Sequence, residues 1–226
     1  MKAKVKVTET IENYLESIYN MRDEGKQVIA ARLAERLGVK PPTVSQTLQR
    51  MRRDGLIKID GGQIALTKTG LEVAEAGIRR HRLLERFMTD ILGLEWAVAH
   101  REAESLQHAM SDLIEQKMFE ALRNPLTCPH GNPIPGQQPT RLPPDALTLD
   151  MTEAGQRVRV LRITEEGERD PRLLDYLQKS RLVPDAVVTV KEVAPWSGVI
   201  TLSRDDTTVP IGVKAARTIW VQPAAL

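Results

Sequence analysis

Apolar residues recur every three or four positions along residues 8–23, TETIENYLESIYNMRD, which is the spacing of an amphipathic helix. The same spacing predicts a second helix over residues 28–38 and a third over residues 43–55, each ending in glycine. Residues 56–67, LIKIDGGQIALT, then alternate apolar and polar side chains on both sides of a Gly-Gly pair, which is typical of a β-hairpin. Helix, helix, turn, helix and hairpin in this order predict a winged helix-turn-helix.

The pattern changes twice in the rest of the chain. Residues 69–123 are helical in pattern, in pieces divided near Gly93 and after His108, with an apolar stripe broad enough for packing across a dimer axis. Residues 124–144 contain seven of the 14 prolines, which block regular structure and mark a linker or an ordered crossover. Short β-like runs around one helical piece, DPRLLDYLQKSRL, then predict a small β-barrel-like domain. The predicted fold class is α+β, mainly α.

Composition indicates the compartment. The 226 residues are 41% hydrophobic and 27% charged, which is ordinary for a globular protein with room for two domains. No apolar run approaches the roughly 20 residues that cross a bilayer, and the first residues lack the apolar core of a signal peptide. The single cysteine, Cys128, excludes an internal disulfide framework. We therefore expect a cytoplasmic protein with no membrane partner.

Basic charge is concentrated in the predicted winged helix. Residues 1–86 hold 17 Lys and Arg against 11 Asp and Glu, whereas residues 87–226 hold 15 against 19. In a helix-turn-helix the second helix enters the major groove of DNA, where hydroxyls and amides meet phosphates and base edges and arginines neutralise charge. The residues predicted to contact DNA are Lys40, Pro42, Thr43, Ser45, Gln46, Thr47, Arg50 and Arg53. Alternatively, the hydroxyls only cap the helix and the arginines only solvate it, or the winged helix contacts protein.

A second polar feature lies in AHREAESLQHAM, residues 99–110. His100, Glu104 and His108 follow one another at intervals of four, so they share one face of a helix, with Gln107 beside them. The simplest interpretation is a solvated polar face. The alternative is a set of metal ligands.

Several motifs follow one another along the chain: PTVSQTLQRMRRDGLI, TKTG, RRHRLLERFMTDILGL, HAMSD and CPHGNPIPG. In content and order they closely resemble the diphtheria toxin repressor family of metal-activated bacterial transcriptional repressors, and the resemblance covers almost the whole chain. It implies a homodimer on double-stranded DNA, with four segments in each chain. These are a winged helix-turn-helix DNA-binding domain at 1–68, a helical dimerisation and metal-binding domain at 69–123, a Pro-rich linker at 124–152 and an SH3-like, FeoA-like β-barrel domain at 153–226.

The resemblance also implies two metal sites. An ancillary site matches His81, Glu85 and His100, and a His and carboxylate pair one helical turn apart is itself able to share a divalent ion. A primary site combines the first helix with the polar stripe, and Glu16 matches a carboxylate that the manganese-responsive members use. The positions that match the primary site are Asn13, Glu104, Gln107 and His108.

Two departures from the family pattern bear on the metal. Glu104 stands where the iron-responsive members carry cysteine, and this hard oxygen donor suits Mn(II) or Fe(II) rather than softer, thiophilic ions. The departure from the iron-responsive pattern favours Mn(II) as the activating ion, with Fe(II) as the alternative. Asn13 stands where family members have Met or Asp, and Gln107 stands where they usually have Glu. Each amide lacks the negative charge of a carboxylate. A weaker or unusually selective primary site is expected, with Glu16 compensating.

Four further residues are weaker candidates for ligands. Glu168 or Asp170 matches the region from which some members of the family supply a carboxylate to the ancillary site, and the alternative is a solvated turn. Cys128 and His130 form a Cys-x-His pair that is competent to bind a metal. The alternative for that pair is packing within a Pro- and Gly-rich crossover.

The same residues are compatible with two functions other than that of a metal-dependent repressor. Clusters of His and Glu also build hydrolytic metal centres, but the chain has no nucleophile elbow, phosphate-binding glycine loop or HExxH motif, so we predict that it is not an enzyme. The second alternative is a winged-helix regulator that senses an organic ligand. In that protein the cluster of His and Glu would have only a structural role. In the favoured mechanism, bound metal orders the dimer and sets the spacing of the recognition helices for a palindromic operator.

Overall fold

The structure is a computed structural model that describes residues 7–137, 142–194, 196–205 and 207–224. It divides into two compact units. The first contains the residues up to Arg80 together with Gln107–Ala109, and the second contains His81–Leu106 and the residues from Met110 onward. The helices are α1 Glu9–Asp23, α2 Ala30–Leu37, α3 Pro41–Arg53, α4 Lys68–Asp90, α5 Trp96–Leu106, α6 Asp112–Ala121, α7 Glu165–Glu168, α8 Pro171–Lys179 and α9 Val213–Ala216. The strands are β1 Ile57–Asp60, β2 Gln63–Leu66, β3 Leu147–Thr148, β4 Arg157–Ile163, β5 Val187–Ala194, β6 Val199–Arg204, β7 Thr207–Gly212 and β8 Ile219–Pro223.

The first unit contains the predicted winged helix-turn-helix. Strands β1 and β2 pair antiparallel, with Asp60 opposite Gln63 across the turn. Gly61 and Gly62 both have positive φ, at 53° and 80°, as the tight turn of a hairpin requires. The backbone N–H of Ile64 donates to the carbonyl of Val28 at 2.9 Å, which ties the hairpin to the chain just before α2.

One apolar core holds the three helices and the hairpin together. The largest side chains that are wholly enclosed in it come from all of these elements, and burying each one contributes about 1.5–3 kcal/mol. They are Leu15, Ile18, Leu33, Met51, Leu56 and Ile57. Because α3 is buried only along Val44, Leu48 and Met51, its opposite face points to solvent.

The second unit contains a six-stranded antiparallel sheet in the order β3-β8-β4-β5-β6-β7. Its core of Val, Ile and Leu side chains also includes Leu174 and Leu177 of α8. Strand β3 pairs with β8 and therefore belongs to the sheet, although the predicted division placed residues 147–148 in the linker. The short helices α7 and α9 were not predicted.

The Pro-rich segment has little regular structure, but part of it is buried in the second unit. Its residues 138–141 lie outside the described residues. Cys128, His130, Asn132 and Ile134 are all 2% exposed or less. The backbone N–H of Cys128 donates to the carbonyl of Asn132 at 2.9 Å, and that of Ile163 donates to the carbonyl of His130 at 2.9 Å. Around these residues the segment is an ordered crossover rather than a free linker.

The end of α5 differs from the prediction. The sequence predicted one helix through His108, but α5 ends at Leu106 and a 3-10 turn follows at Gln107–Ala109. A 3-10 turn winds more tightly than an α-helix, so Gln107 and His108 leave the stripe that Glu104 occupies. Helix α6 then starts at Asp112, after the N-cap Ser111, whose hydroxyl accepts from the N–H of Ile114 at 3.3 Å.

Helix α6 has no buried residue, and Leu113 and Ile114 are more than half exposed. Among the described residues, no helix is long and apolar enough to span a bilayer.

Candidate metal centre and nucleic-acid interface

Two groups of side chains have the chemistry of metal ligands, one in each unit. The buried cluster consists of His81, Glu85, His100, Cys128, His130 and Glu168, in the second unit. The α1 cluster consists of Glu12, Glu16, Gln107 and His108, in the first unit.

The carboxylate of Glu85 is the centre of the buried cluster. Its Oε1 lies 3.1 Å from Nε2 of His81, one turn earlier on α4, and 2.8 Å from Nδ1 of His100 on α5. The two imidazoles also approach each other, with 3.3 Å between His81 Nε2 and His100 Nδ1. The three residues that spacing and resemblance grouped as the ancillary site are therefore brought together.

The crossover and α7 close the other side of the cluster. Nδ1 of His130 lies 3.5 Å from Oε1 of Glu85 and 3.2 Å from Oε1 of Glu168, and Cys128 Sγ lies 3.8 Å from the same nitrogen. Cys128 and His130 are 1% and 0% exposed. Thus the structure places both Cys-x-His side chains beside the carboxylates, which packing of the crossover alone does not require.

Glu168 is not part of a solvated turn, as one interpretation of the sequence held. It is 1% exposed at the end of α7, where its Oε1 accepts from Nδ2 of Asn132 at 2.5 Å and its Oε2 lies 3.8 Å from Nδ1 of His100. Asp170, in contrast, is exposed and caps α8 by accepting from the N–H of Arg172 at 3.0 Å. Of the two candidate carboxylates, only Glu168 reaches the cluster.

Burial and mutual attraction control protonation in this cluster. Burial would lower the pKa of His81, but the Glu85 carboxylate outweighs it and raises that pKa to about 10. Burial would also raise the pKa of Glu85, and the imidazoles of His81 and His130 instead hold it well below its ordinary value. The Cys128 thiol has its pKa raised to about 11, chiefly by burial and then by the charges of Glu168 and Glu85. Burial is also the main cause that raises the pKa of Glu168. Protons on the imidazoles therefore balance chiefly the carboxylate of Glu85.

The donor set fits a divalent ion. Within the described part of the chain, His81, Glu85, His100 and Glu168 each offer one ligand atom, all within 4.8 Å of one another, and so do Glu85, Cys128 and His130. Oε2 of Glu85 is buried and has no hydrogen-bond partner among the residues that the structure describes. Leaving a buried carboxylate oxygen unsatisfied is costly, and a metal ion supplies the missing positive partner.

A buried ion pair fastens α7 to α4 beside the cluster. Nη2 of Arg82 lies 3.5 Å from Oε2 of Glu165, and its Nη1 donates to the carbonyl of Pro133 at 2.5 Å. Burial would raise the pKa of Glu165, but the Arg82 guanidinium lowers it. Arg82 thus holds both α7 and the crossover, the two segments that supply Glu168 and His130.

In the α1 cluster, the two polar side chains of the 3-10 turn each meet a carboxylate of α1. Nδ1 of His108 lies 2.6 Å from Oε2 of Glu12, and Nε2 of Gln107 donates to Oε2 of Glu16 at 3.1 Å. Glu16 also lies against α4, because a Cβ on Gly77 would be only 2.0 Å from Oε1 of Glu16. The absence of a side chain at position 77 therefore makes room for this carboxylate.

Two residues predicted for the primary site lie elsewhere. Asn13 is exposed on α1, about 100° around the helix from Glu12. The side chain of Glu104 is 62% exposed, and its Oε1 lies 3.8 Å from Nε2 of His100. Glu12 was missed, although its position one turn before Glu16 was a signal in the sequence.

The candidate DNA interface is the outer face of α3. Seven of the eight residues predicted to contact DNA are exposed: Lys40, Pro42, Thr43, Ser45, Gln46, Arg50 and Arg53. Thr47 is half-buried, and its hydroxyl donates to the carbonyl of Thr43 at 3.0 Å, so it serves the helix backbone. Both Arg50 and Arg53 lie near the exposed carboxylate of Asp54, at 3.7 and 3.3 Å.

Fold and side chains together define a DNA-binding regulator with candidate metal centres, and comparison with known proteins agrees. Three family profiles match consecutive parts of the chain: "Iron dependent repressor, N-terminal DNA binding domain" at residues 6–63, "Iron dependent repressor, metal binding and dimerisation domain" at 67–136, and "FeoA domain" at 147–223.

Individual relatives match over most of their length. The iron-dependent repressor IdeR of Mycobacterium tuberculosis (strain ATCC 25618 / H37Rv) is 41% identical over 203 residues, covering 85% of this chain and 88% of that protein. The diphtheria toxin repressor of Corynebacterium diphtheriae is 35% identical over 228 aligned positions, covering 96% and 98%. A solved manganese-dependent transcriptional repressor in complex with manganese superposes with a TM-score of 0.84 at 34% identity, covering 95% of this chain and 100% of that chain. The chain belongs to the diphtheria toxin repressor family of metal-dependent, DNA-binding transcriptional repressors.

Proposed function

We propose that this chain is a Mn(II)- or Fe(II)-activated repressor, with Mn(II) preferred, that binds palindromic operators as a homodimer and controls genes of metal-ion homeostasis in the cytoplasm. The observation that carries the proposal is the buried cluster, in which imidazoles and carboxylates from α4, α5, α7 and the crossover converge on Glu85. Buried ionisable groups of this kind are costly unless they are paired or hold a metal.

The α1 cluster supports the preference for manganese. Its donors are oxygens and an imidazole nitrogen, from Glu16, Gln107 and His108, and Glu12 holds the other ring nitrogen of His108. Hard oxygen donors suit Mn(II), while thiolates select softer ions. Two carboxylates on α1 supply the negative charge that Asn13 and Gln107 lack. We therefore assign Glu16 as the ligand from α1, in place of Asn13, and Glu12 as the partner that orients His108.

The proposed ligands divide between two sites, the α1 cluster and the buried cluster. Glu16, Gln107 and His108 would hold the ion of the α1 cluster. Glu104, whose side chain is 62% exposed and lies beside His100, stays a prediction from the sequence alone. His81, Glu85, His100 and Glu168 would hold an ion in the buried cluster. The metal supplies positive charge that links these side chains, and the protein supplies the fixed arrangement of donors.

The α1 cluster would link metal binding to DNA binding, because it lies in the unit that contains α3. Gln107–Ala109 packs in the first unit with α1, yet the residues on both sides of it in the chain belong to the second unit. An ion in this cluster would fix Gln107–Ala109 against α1 within the first unit. In a homodimer this would hold two α3 helices at the spacing of a palindromic operator. Moving a mostly inactive ensemble to a mostly active one requires about 10⁴-fold tighter binding of metal to the active form.

The test is an anaerobic titration of the full chain with Mn(II), Fe(II), Co(II) and Zn(II), each followed by fluorescence anisotropy on promoter DNA of a metal-transport gene. We expect Mn(II) to raise operator affinity at a lower free concentration than Fe(II), with little gain on scrambled DNA of equal length. If no metal changes operator affinity, the chain is not a metal-dependent repressor, and organic ligands become the compounds to test.

A further inference from the structure

We propose that the buried cluster binds two metal ions that share the carboxylate of Glu85. One ion is held by His81, His100 and Glu168, and the other by Cys128 and His130. This inference rests on the proposed function, because it concerns the metal content of the same cluster, but it adds a second ion of different chemistry.

The division of the donors is the first observation. Ligands on opposite sides of one ion, with metal–ligand distances of about 2.0–2.3 Å, are at most about 4.6 Å apart. In the described part of the chain, two groups of donors meet nearly this condition, and they share one residue, Glu85. Each group alone has the size of a single-ion site.

The carboxylates are placed to span two ions. Oε2 of Glu168 lies 3.8 Å from Nδ1 of His100 in the first group, whereas its Oε1 lies 3.2 Å from Nδ1 of His130 in the second. Oε1 of Glu85 faces imidazoles of both groups, at 2.8 Å from His100 and 3.5 Å from His130. Its Oε2 is buried and receives no hydrogen bond from the described part of the chain. A carboxylate that uses both oxygens bridges two ions and leaves neither oxygen unsatisfied.

Charge is compatible with two ions. With the thiol ionised, Glu85, Glu168 and Cys128 carry three negative charges in a site where all three side chains are at most 1% exposed. One divalent ion would leave one net negative charge and two would leave one net positive charge, so the charges of these ligands accommodate a second ion as well as a single one. Buried charge without such compensation is strongly unfavourable.

The two positions differ in the metal that they select. The first has only nitrogen and oxygen donors, which accept Mn(II) and Fe(II). The second includes a thiolate, which favours softer ions such as Zn(II) and Co(II) over Mn(II). Cys128 is thus the specificity-determining residue of the second position.

The experiment loads full-length protein with Co(II) in a His108→Ala background, which removes a ligand of the α1 cluster. Cobalt is counted by elemental analysis after desalting, and a near-ultraviolet thiolate-to-cobalt charge-transfer band reports the ion on Cys128. We expect two Co(II) per chain together with this band. Adding Cys128→Ser should leave one Co(II) and no band, whereas adding His81→Ala should leave one Co(II) with the band intact.

Sharing is tested by Glu85→Gln, which keeps the size of the side chain but removes the charge. It should weaken retention of both ions by tenfold or more, while either single-site variant removes one. Thermal unfolding of every metal-free variant identifies loss of fold, and Cys128→Ala replaces Cys128→Ser if the serine variant does not fold. One Co(II) per chain, with His81→Ala abolishing the band, would overturn the two-ion proposal and leave a single-ion site. Absence of Co(II) from the cluster would instead overturn the proposed function of these residues.

Discussion

At the scale of single residues, the structure shows a contact between Glu12 and His108 that the sequence did not predict. Resemblance pointed to Asn13, but helical geometry sets the direction of each side chain of α1, and the residue facing His108 is Glu12. A carboxylate on one ring nitrogen of a histidine orients the other nitrogen toward a metal. Because Nδ1 of His108 faces Glu12, Nε2 is the nitrogen left for the ion.

Replacing Glu12 tests this orientation. Glu12→Ala should weaken Mn(II) binding by about 10–100-fold, the usual effect of losing such a partner. Glu12→Gln should recover part of the loss, since an amide oxygen still accepts from Nδ1–H. Isothermal titration calorimetry measures both affinities, with the exposed Glu9→Ala, from the first turn of α1, as the control. Equal Mn(II) affinity in the wild type and Glu12→Ala would show that Glu12 does not orient a ligand.

Replacing Gly77 tests the position of the Glu16 carboxylate. A methyl group there would lie 2.0 Å from Oε1 of Glu16, so Gly77→Ala should displace that carboxylate and lower Mn(II)-dependent operator binding. The same change favours the helix by about 1 kcal/mol, so the melting temperature should not fall in parallel. In a Glu16→Ala background, Gly77→Ala should have no further effect on operator affinity. An undiminished loss in that background would mean that Gly77 acts on something other than Glu16.

At the scale of secondary-structure elements, periodicity predicted the long helices and the strands other than β3, because their buried faces repeat along the sequence. It missed α7, since four residues are too few to show a period and the helix depends on tertiary packing. Gly167 lies so close to Thr218 that a Cβ would be 2.7 Å from its hydroxyl. The position of Glu168 therefore depends on contacts between segments far apart in sequence, which no local pattern reveals.

The attachment of α7 rests on the pair of Arg82 and Glu165. Glu165→Gln should lower the free energy of unfolding by about 1–3 kcal/mol, because it removes the charged partner of a buried guanidinium. Urea unfolding of metal-free protein measures this loss, with the exposed neighbour Glu166→Gln as the matched control. A loss of stability no greater than that of the control would show that the ion pair does not stabilise α7.

Helix α3 carries the prediction for DNA. Gln46 is exposed on its outer face, and Gln46→Ala should lower discrimination between operator and random DNA by about 1–3 kcal/mol if the amide meets a base edge. Competition binding with both DNAs measures the difference, and Gln49→Ala, also exposed on α3, is the control. An equal loss of affinity for both DNAs would instead assign Gln46 to a backbone contact.

At the scale of the whole molecule, function depends on linkage between metal and DNA. Sequence patterns predicted the order of the domains, and the resemblance predicted the family, because both depend on long co-linear stretches. Side-chain partners across segments, such as His108 with Glu12 and His130 with Glu168, appeared only in the folded chain. The assignment of ligands changed for this reason, because it depends on contacts between segments that are far apart in the sequence.

The most direct test of this linkage is the Mn(II) affinity of the full chain measured with and without saturating operator DNA. Linkage is reciprocal, so operator DNA must tighten Mn(II) binding by the same factor by which Mn(II) tightens operator binding. We predict that the two factors agree, that scrambled DNA has little effect, and that His108→Ala reduces both factors together. A Mn(II) affinity that does not change when operator DNA is added would contradict the account.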